Sequence, residues 1–219
     1  MAVVSVCSTK GGVGKTTLVI CLADAFSRRG GTVAILDADP NGHVVAWRKQ
    51  VEGECGIEVI GGINENNVLD KIAETSERYE VVFVDLEGAA SQAVMLAVAQ
   101  SDLVLIPSKI SGMDLQEVFR TYEVVKRSER VVRRPIPARV VLTQMSPLLS
   151  RVAQHARNEI TSNALPVLKT ETIHRAAYQA MHFTGSTPSA PDGDPKARAE
   201  VAAVLDEVLG ALSEQAVAA

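Results

Sequence analysis

The 219-residue sequence has few cysteines and no excess of positive charge. Its cysteines, Cys7, Cys21 and Cys55, are odd in number and lack the Cys-x-x-Cys spacing of many metal and redox sites. We therefore expect free thiols in a reducing compartment. Acidic residues outnumber basic residues by 26 to 22, which gives a net charge of −4 and excludes a strongly basic field over the whole protein. Any contact with nucleic acid must then come from a local basic patch.

Long apolar segments are absent as well. No run of 18 apolar residues occurs, so the sequence predicts no transmembrane helix, and residues 1–12 lack the basic start of a signal peptide. We therefore expect a cytoplasmic protein. Its content of 47% hydrophobic and 22% charged residues is typical of a folded globular chain. The length suits a single domain over residues 1–219.

Short β-branched runs alternate with segments of helical period along the chain. This alternation predicts an α/β fold, a three-layer doubly wound arrangement around a mostly parallel sheet. Ligands of such sheets bind at the carboxyl ends of the strands, which makes 8–17, 37–42 and 85–88 the candidate site segments. We predict strands at 2–8, 32–36, 57–60, 81–84, 103–106, 139–142 and 167–168, helices at 16–29, 68–78, 113–128, 151–163 and 196–212, and a loop at 185–195.

Residues 9–17 read TKGGVGKTT and lie between the first predicted strand and the first predicted helix. Glycines allow the backbone to curl so that its N–H groups converge on phosphate oxygens at the helix N-terminus. Lys15 can reach the β- and γ-phosphates, and the Thr16 hydroxyl can bind Mg²⁺. The predicted nucleotide-binding residues here are Lys10, Gly11, Gly12, Val13, Gly14, Lys15, Thr16 and Thr17.

The first residues of this loop depart from the usual phosphate-loop pattern. A glycine is expected at position 9, where this chain has Thr9, and a second lysine, Lys10, follows. The segment KGGVGKTT resembles the deviant phosphate loop of the ParA/MinD family of P-loop NTPases. That resemblance implies an ATPase that cycles between ATP and ADP and forms a homodimer with ATP. It also implies that Lys10 reaches the nucleotide of the partner subunit and acts as a catalytic residue together with Lys15.

Three aspartates follow predicted strands. The segment Asp37-Ala38-Asp39-Pro40 resembles the DxDP motif of the family, by which Asp39 orients the attacking water and Asp37 supports Mg²⁺. A carboxylate beside phosphates can help only by holding water or metal. Asp39 could instead cap a helix. Asp85 resembles the Mg²⁺-contacting aspartate of the Walker B strand. The residues after it, Leu86-Glu87-Gly88, differ from the small residues and proline usual in the family, although Gly88 can still offer its N–H to the γ-phosphate.

Later segments resemble the family less closely. Thr143 and Gln144 fall where the family places its base-contacting loop, which implies adenine contacts. Residues 172–175 with Tyr178 resemble a segment that carries nucleotide or DNA contacts, and plain surface residues are an equal alternative. The segment of Leu105–Pro107 followed by Met113-Asp114 resembles the family's dimer-interface region.

Residues 120–139 contain seven basic and two acidic side chains. One interpretation is a patch that binds DNA non-specifically, with binding that weakens steeply as salt is added. The other is a set of cations that favour a helix C-terminus. The candidate DNA-binding residues are Lys126, Arg127, Arg130, Arg133 and Arg134.

The resemblance implies a DNA-partitioning switch. The first predicted strand begins at residue 2, as in the short ParA subgroup, and residues 196–219 lack the basic amphipathic pattern of a membrane anchor. We expect a nucleoid-associated ATPase, reset by a ParB-like centromere-binding partner, without membrane binding. The pair Trp47-Arg48, after the DADxN pattern, and residues 165–170 also resemble VirC-type proteins of conjugative DNA transfer. Two alternatives therefore stay open: an ATPase that positions another cargo, such as a transfer complex or a protein assembly, and a nucleotide-bound binding module with little hydrolysis.

Overall fold

The computed structural model describes residues 1–88, 91–148, 151–163 and 165–218. Within them, six strands form one sheet in the order β3-β2-β4-β1-β5-β6, and all neighbours pair in parallel. The predicted α/β fold is confirmed. The strands are β1 (Ala2–Val6), β2 (Val33–Ala38), β3 (Ile57–Ile60), β4 (Val81–Leu86), β5 (Leu103–Ser108) and β6 (Ala138–Leu142). The helices are α1 (Lys15–Ser27), α2 (His43–Arg48), α3 (Val68–Ser76), α4 (Gln92–Gln100), α5 (Gly112–Val132), α6 (Arg151–Ser162), α7 (Ala176–Thr184) and α8 (Pro195–Ala218).

The central strands are buried on both faces, as their continuous apolar sequences predict. Side chains of β4 alternate between the two faces, so Phe83 packs in the core with α1 and α8, whereas Val82 and Val84 pack in the core with α3, α4 and α5. The buried Ser5 on β1 is satisfied by a hydrogen bond of 2.7 Å from Ser101, which follows α4. The sheet thus forms the middle layer of three.

The sequence analysis did not predict helices α2, α4 and α7. The sequence of α4, QAVMLAVAQ, is apolar on nearly every side, so it carries little helical periodicity, and a hydrogen bond from Val94 N to the Ser91 side chain marks its start. The strand predicted at 167–168 is too long, because the structure has only a single bridge there, between Val140 and Val167.

Cys7, Cys21 and Cys55 are free thiols in the structure. Burial raises the pKa of the Cys7 thiol to about 12, so this thiol stays protonated at neutral pH. None of the helices in the described ranges is both long and apolar enough to cross a membrane.

The carboxyl ends of β1, β2 and β4 lie next to one another at one edge of the sheet. Val6 at the end of β1 pairs with Asp85 of β4, and Asp85 in turn pairs with Asp37 of β2. The fold therefore brings together the three segments predicted to form the site, from positions far apart in the sequence.

Candidate functional site

The segment between β1 and α1 has the backbone shape of an anion-binding loop. Gly12 and Gly14 have φ angles of 71° and 92°, in the left-handed region that side chains disfavour. Gly14 is the N-cap residue of α1 and provides no side-chain cap. The first N–H groups of α1 therefore remain available to a ligand, and the positive end of the helix dipole favours an anion there.

Lys15 lies at the start of α1 and is only 8% exposed. Its ammonium group is next to the segment that follows β4, because a Cβ atom added at Gly88 would lie 3.5 Å from Lys15 Nζ and 3.6 Å from the Gly11 nitrogen. Gly88 thus lies against both the phosphate loop and its lysine, and the contact of its N–H with the γ-phosphate stays a prediction.

Thr16 and Asp85 form the centre of a candidate magnesium site. The Thr16 hydroxyl donates to Asp85 Oδ2 at 2.7 Å, and the second carboxylate oxygen, Oδ1, is buried without a hydrogen-bond partner among the described residues. Burial raises the pKa of Asp85 to about 7, against the opposing effect of the bond from Thr16. A buried carboxylate oxygen with no partner is costly unless a cation or donor binds it. These residues therefore fit Mg²⁺.

The protein offers few ligands to a metal ion at this site. In the described part of the chain, no group of three or more His, Cys, Asp or Glu side chains is arranged to hold a metal ion. Mg²⁺ commonly takes one or two carboxylates and completes its shell with phosphate oxygens and water. The Thr16 hydroxyl and the Asp85 carboxylate, beside an anion-binding loop, fit this coordination of Mg²⁺.

Asp37 is buried and has a structural task. Its Oδ2 accepts from Val45 N at 2.9 Å and its Oδ1 accepts from Asp39 N at 3.3 Å, so it satisfies the N-terminal end of α2. Burial is the main reason why its pKa lies above the usual value. Asp37 lies directly opposite Asp85 on the neighbouring strand. Its support of the metal site stays a prediction, and this position is compatible with it.

Asp39 lies between β2 and α2 and is half-buried. Its Oδ1 accepts from the backbone N of Asn41 at 2.9 Å and from the Asn41 side chain at 2.7 Å. The N-cap residue of α2 is Gly42, so Asp39 does not cap that helix. The turn holds the Asp39 carboxylate at the sheet edge that carries the phosphate loop.

Lys10 is paired within its own chain. Its ammonium donates to Asp114 Oδ1 near the start of α5, where Asp114 also forms a capping box with Ser111. Burial works to raise the pKa of Asp114, but the hydrogen bonds from Lys10 and Ser111 outweigh it and hold that pKa below its usual value. The Lys10 side chain is 32% exposed, so it lies at the surface of the loop rather than inside it.

Thr143 and Gln144 both contact the phosphate loop. The Thr143 hydroxyl donates to Val13 O at 2.7 Å, and Gln144 Nε2 donates to Gly12 O at 3.2 Å. Both residues also line a cavity of about 170 Å³ that continues from Gly14. Adenine contacts by these two residues stay a prediction, and their position beside the loop is compatible with it.

The same cavity is lined by residues 172–175 and Tyr178, which the sequence analysis singled out, and by His182, which it missed. His182 of α7 is within 2.9 Å of the Thr17 hydroxyl, and Tyr178 bonds to Glu200 of α8 at 3.0 Å. Arg175 pairs with Glu200 as well, which gives it a structural partner. Thr17 and His182 are 165 positions apart in the sequence, and Tyr178 and Glu200 are 22 apart, so no local sequence pattern could predict these contacts.

The basic residues near the end of α5 are only partly free of partners. Lys126 pairs with Glu129 at 2.8 Å, and Arg134 donates to the backbone oxygens of Ala99 and Ser101. The remaining three candidates are exposed: Arg127, Arg130 and Arg133. All five residues lie at one end of α5, and three of them have partners within the chain, because Arg130 also donates to Lys126 O at 3.2 Å and lies 4.0 Å from Glu123.

The chain matches the family described as VirC1 protein over residues 1–187. It is 31% identical to Protein ParA of Rhizobium radiobacter over 186 residues, which cover 84% of each chain. A McdA variant of Cyanothece in complex with ATP has a similar structure, with a TM-score of 0.78, 17% identity and 96% coverage of both chains. MinD of Pyrococcus horikoshii complexed with Mg-ADP is similar too, with a TM-score of 0.75, 14% identity and coverage of 94% and 95%.

Proposed function

This chain belongs to the VirC1 family of ParA/MinD-type ATPases, and we propose that it is a magnesium-dependent ATPase whose ATP-bound dimer binds and positions DNA. The observation that carries the proposal is the pair of lysines in one phosphate loop. Lys15 is buried against the phosphate-binding backbone, whereas Lys10 lies at the loop surface. In this proposal Lys15 serves the nucleotide of its own subunit, and Lys10 leaves Asp114 to serve the nucleotide of a second subunit.

The chain supplies most of what phosphoryl transfer to water requires. Lys15 and the N–H groups at the start of α1 bind the phosphate oxygens, and Thr16 and Asp85 would hold Mg²⁺. The metal, when bound, would neutralise charge that develops on the phosphates. Asp39 orients a water whose oxygen bonds to the γ-phosphorus while the bond from that phosphorus to the β–γ bridging oxygen breaks. ADP leaves with the bridging oxygen, and the water proton ends on the released phosphate.

The rate of ATP hydrolysis distinguishes an ATPase from a nucleotide-bound binding module. We expect this rate to rise when both DNA and the ParB-like partner are added. Release of phosphate at equal rates with an Asp85→Ala variant would contradict the assignment of the site, because that change removes the carboxylate that would hold the metal.

Asp39→Ala is expected to bind ATP normally and to hydrolyse it at least about 100-fold more slowly, since a positioned base or water-orienting group contributes on this scale. The ATP-bound dimer should accumulate, which light scattering with ATP and Mg²⁺ can measure. Asn41→Ala is the matched control, because it removes the side-chain partner of Asp39 and keeps the carboxylate. Wild-type turnover in Asp39→Ala would leave Asp39 with only its role in the turn.

The DNA part of the proposal depends on the exposed end of α5. Changing Arg127, Arg130 and Arg133 to glutamate should weaken DNA binding. The slope of log affinity against log salt concentration should also become less steep, by roughly one for each DNA phosphate that is no longer neutralised. Arg134 is left intact, since it holds backbone carbonyls near α4. ATP turnover should stay close to that of the wild type.

A control with the same change of net charge reverses three exposed lysines elsewhere: Lys49, Lys169 and Lys196. If this control loses DNA as strongly as the α5 variant, the effect is one of net charge alone. An unchanged salt slope in the α5 variant would mean that these arginines only favour the helix end.

The family match supports a second candidate for the DNA that the protein positions. Because the family model is that of VirC1, the resemblance to proteins of conjugative DNA transfer makes a transfer complex the second candidate beside a plasmid or chromosome. The partner would then be a transfer protein in place of a ParB-like protein. Whether transfer genes or a ParB-like gene lie next to this one distinguishes the two.

A further inference from the structure

Helix α5 holds the beginning of the phosphate loop through one face. Asp114, Glu117 and Thr121 lie three and then four residues apart, so they project from the same side of the helix. Asp114 binds Lys10, whereas Glu117 and Thr121 both bind Thr9. The loop and the helix are more than 100 positions apart in the sequence.

Thr9 is held by both its backbone and its side chain. Its N–H donates to the Thr121 hydroxyl at 3.0 Å, and its own hydroxyl donates to Glu117 Oε2 at 2.5 Å. The Thr121 hydroxyl in turn donates to Glu117 O at 2.7 Å, and Thr121 is only 2% exposed. The backbone directly before Lys10 is therefore fixed to α5 and not to the sheet.

The Glu117 carboxylate is charged and engaged on both oxygens. Its Oε1 accepts from Arg120 at 2.6 Å, while Oε2 accepts from Thr9. The bond from Thr9 is the main reason why the pKa of Glu117 lies below its usual value, and Arg120 and Lys10 act in the same direction. A hydroxyl bonded to an ionised carboxylate makes a stronger bond than one between neutral groups.

We propose that Glu117, together with Thr121, is a positioning residue that fixes the point from which Lys10 reaches the second nucleotide. This inference rests on the proposed ATP-dependent dimer. With Thr9 anchored, the moving part of Lys10 is its four-carbon side chain, which exchanges Asp114 for a phosphate of the partner. Freeing Thr9 adds backbone freedom that dimerisation must then remove. Glu117 itself contacts neither nucleotide nor metal in this scheme.

Glu117→Ala and Thr9→Val should each weaken ATP-dependent dimerisation roughly tenfold, the effect expected when a hydrogen bond to a charged group is removed. ATP affinity of the monomer should change less than about threefold, because Lys15 and the α1 N-terminus are untouched. Sedimentation with ATP and Mg²⁺ measures the dimer, and a fluorescent ATP analogue at low protein concentration measures the monomer. Thr9→Ser, which keeps the hydroxyl, should restore dimerisation.

The double variant Thr9→Val with Glu117→Ala distinguishes a shared hydrogen bond from two separate effects. We expect it to dimerise about as well as either single variant, because both changes remove the same bond. Glu123→Ala, at an exposed site two turns along α5, is the control and should dimerise like the wild type.

Two results would overturn the inference. One is a fall in melting temperature with unchanged dimerisation, which a merely structural contact would give. The other is a strictly additive weakening of dimerisation in the double variant. A wild-type chain that stays monomeric with ATP and Mg²⁺ would overturn the proposed function and this inference with it, whereas a dimerising wild type with unaffected variants would overturn the inference alone.

Discussion

Lys15→Ala is expected to lose at least about 100-fold in ATP affinity, because the variant removes the cation placed beside the phosphate-binding N–H groups and a charge-assisted interaction of this kind is worth several kcal/mol in a site shielded from water. The side chain is only 8% exposed, next to Gly88 and the start of α1. Titration with a fluorescent ATP analogue measures the loss.

The loss must be separated from unfolding. Lys15 is not part of an ion pair in the described part of the chain, so its removal should leave the melting temperature without ligand nearly unchanged. Lys49→Ala, at the exposed end of α2, is the matched control and should bind ATP normally. A folded Lys15→Ala protein with unchanged ATP affinity would remove the phosphate-loop assignment.

The fold and the centre of the site could be predicted because their signals are local. The phosphate loop is one continuous segment, and each of the aspartates follows an apolar strand. The carboxyl ends of parallel strands meet at one sheet edge, so Asp37 and Asp85 had to lie on the same side. Their direct pairing across β2 and β4 depends on the strand order, which no local pattern specifies.

The sequence did not show which carboxylate of the DxDP segment supports the start of α2. The helix-capping role considered for Asp39 belongs in part to Asp37, whose carboxylate reaches the N-terminal turn of α2 from inside the sheet edge. The short α2 itself has too few residues to show a helical period. Only the three-dimensional arrangement shows that the carboxylate at the start of α2 belongs to Asp37 and not to Asp39.

The contacts around Lys10 were beyond sequence reasoning for a different reason. In the sequence, Asp114 is singled out only by its resemblance to the family's dimer-interface region, whereas in the structure it caps α5 through its bonds with Ser111. Its second contact, with Lys10, depends on how α5 packs beside β5 and β6. Glu117 and Thr121 read as ordinary positions of a long amphipathic helix, so no signal marked them as partners of Thr9.

Lys10→Ala is expected to bind ATP with modestly changed affinity and to fail both to form the ATP dimer and to bind DNA. Two facing ATP molecules bring several negative charges together, and a dimer without added cations would repel itself. Lys10 supplies one such cation from each chain, and its flexible side chain suits a reach across an interface. We expect the dimer to weaken on the order of 100-fold, a loss typical of removing a cation from a phosphate site.

The pair with Asp114 makes a single variant ambiguous, because Lys10→Ala leaves a buried carboxylate without its cation. A loss of dimer could then reflect a distorted start of α5. The double variant Lys10→Ala with Asp114→Asn removes the stranded charge while the amide can still accept from Ser111. If the cation matters in trans, stability returns in the double variant and the dimer does not. Sedimentation with ATP and Mg²⁺ tests this directly, and a double variant that dimerises like the wild type would mean that the two nucleotides are not shared through Lys10.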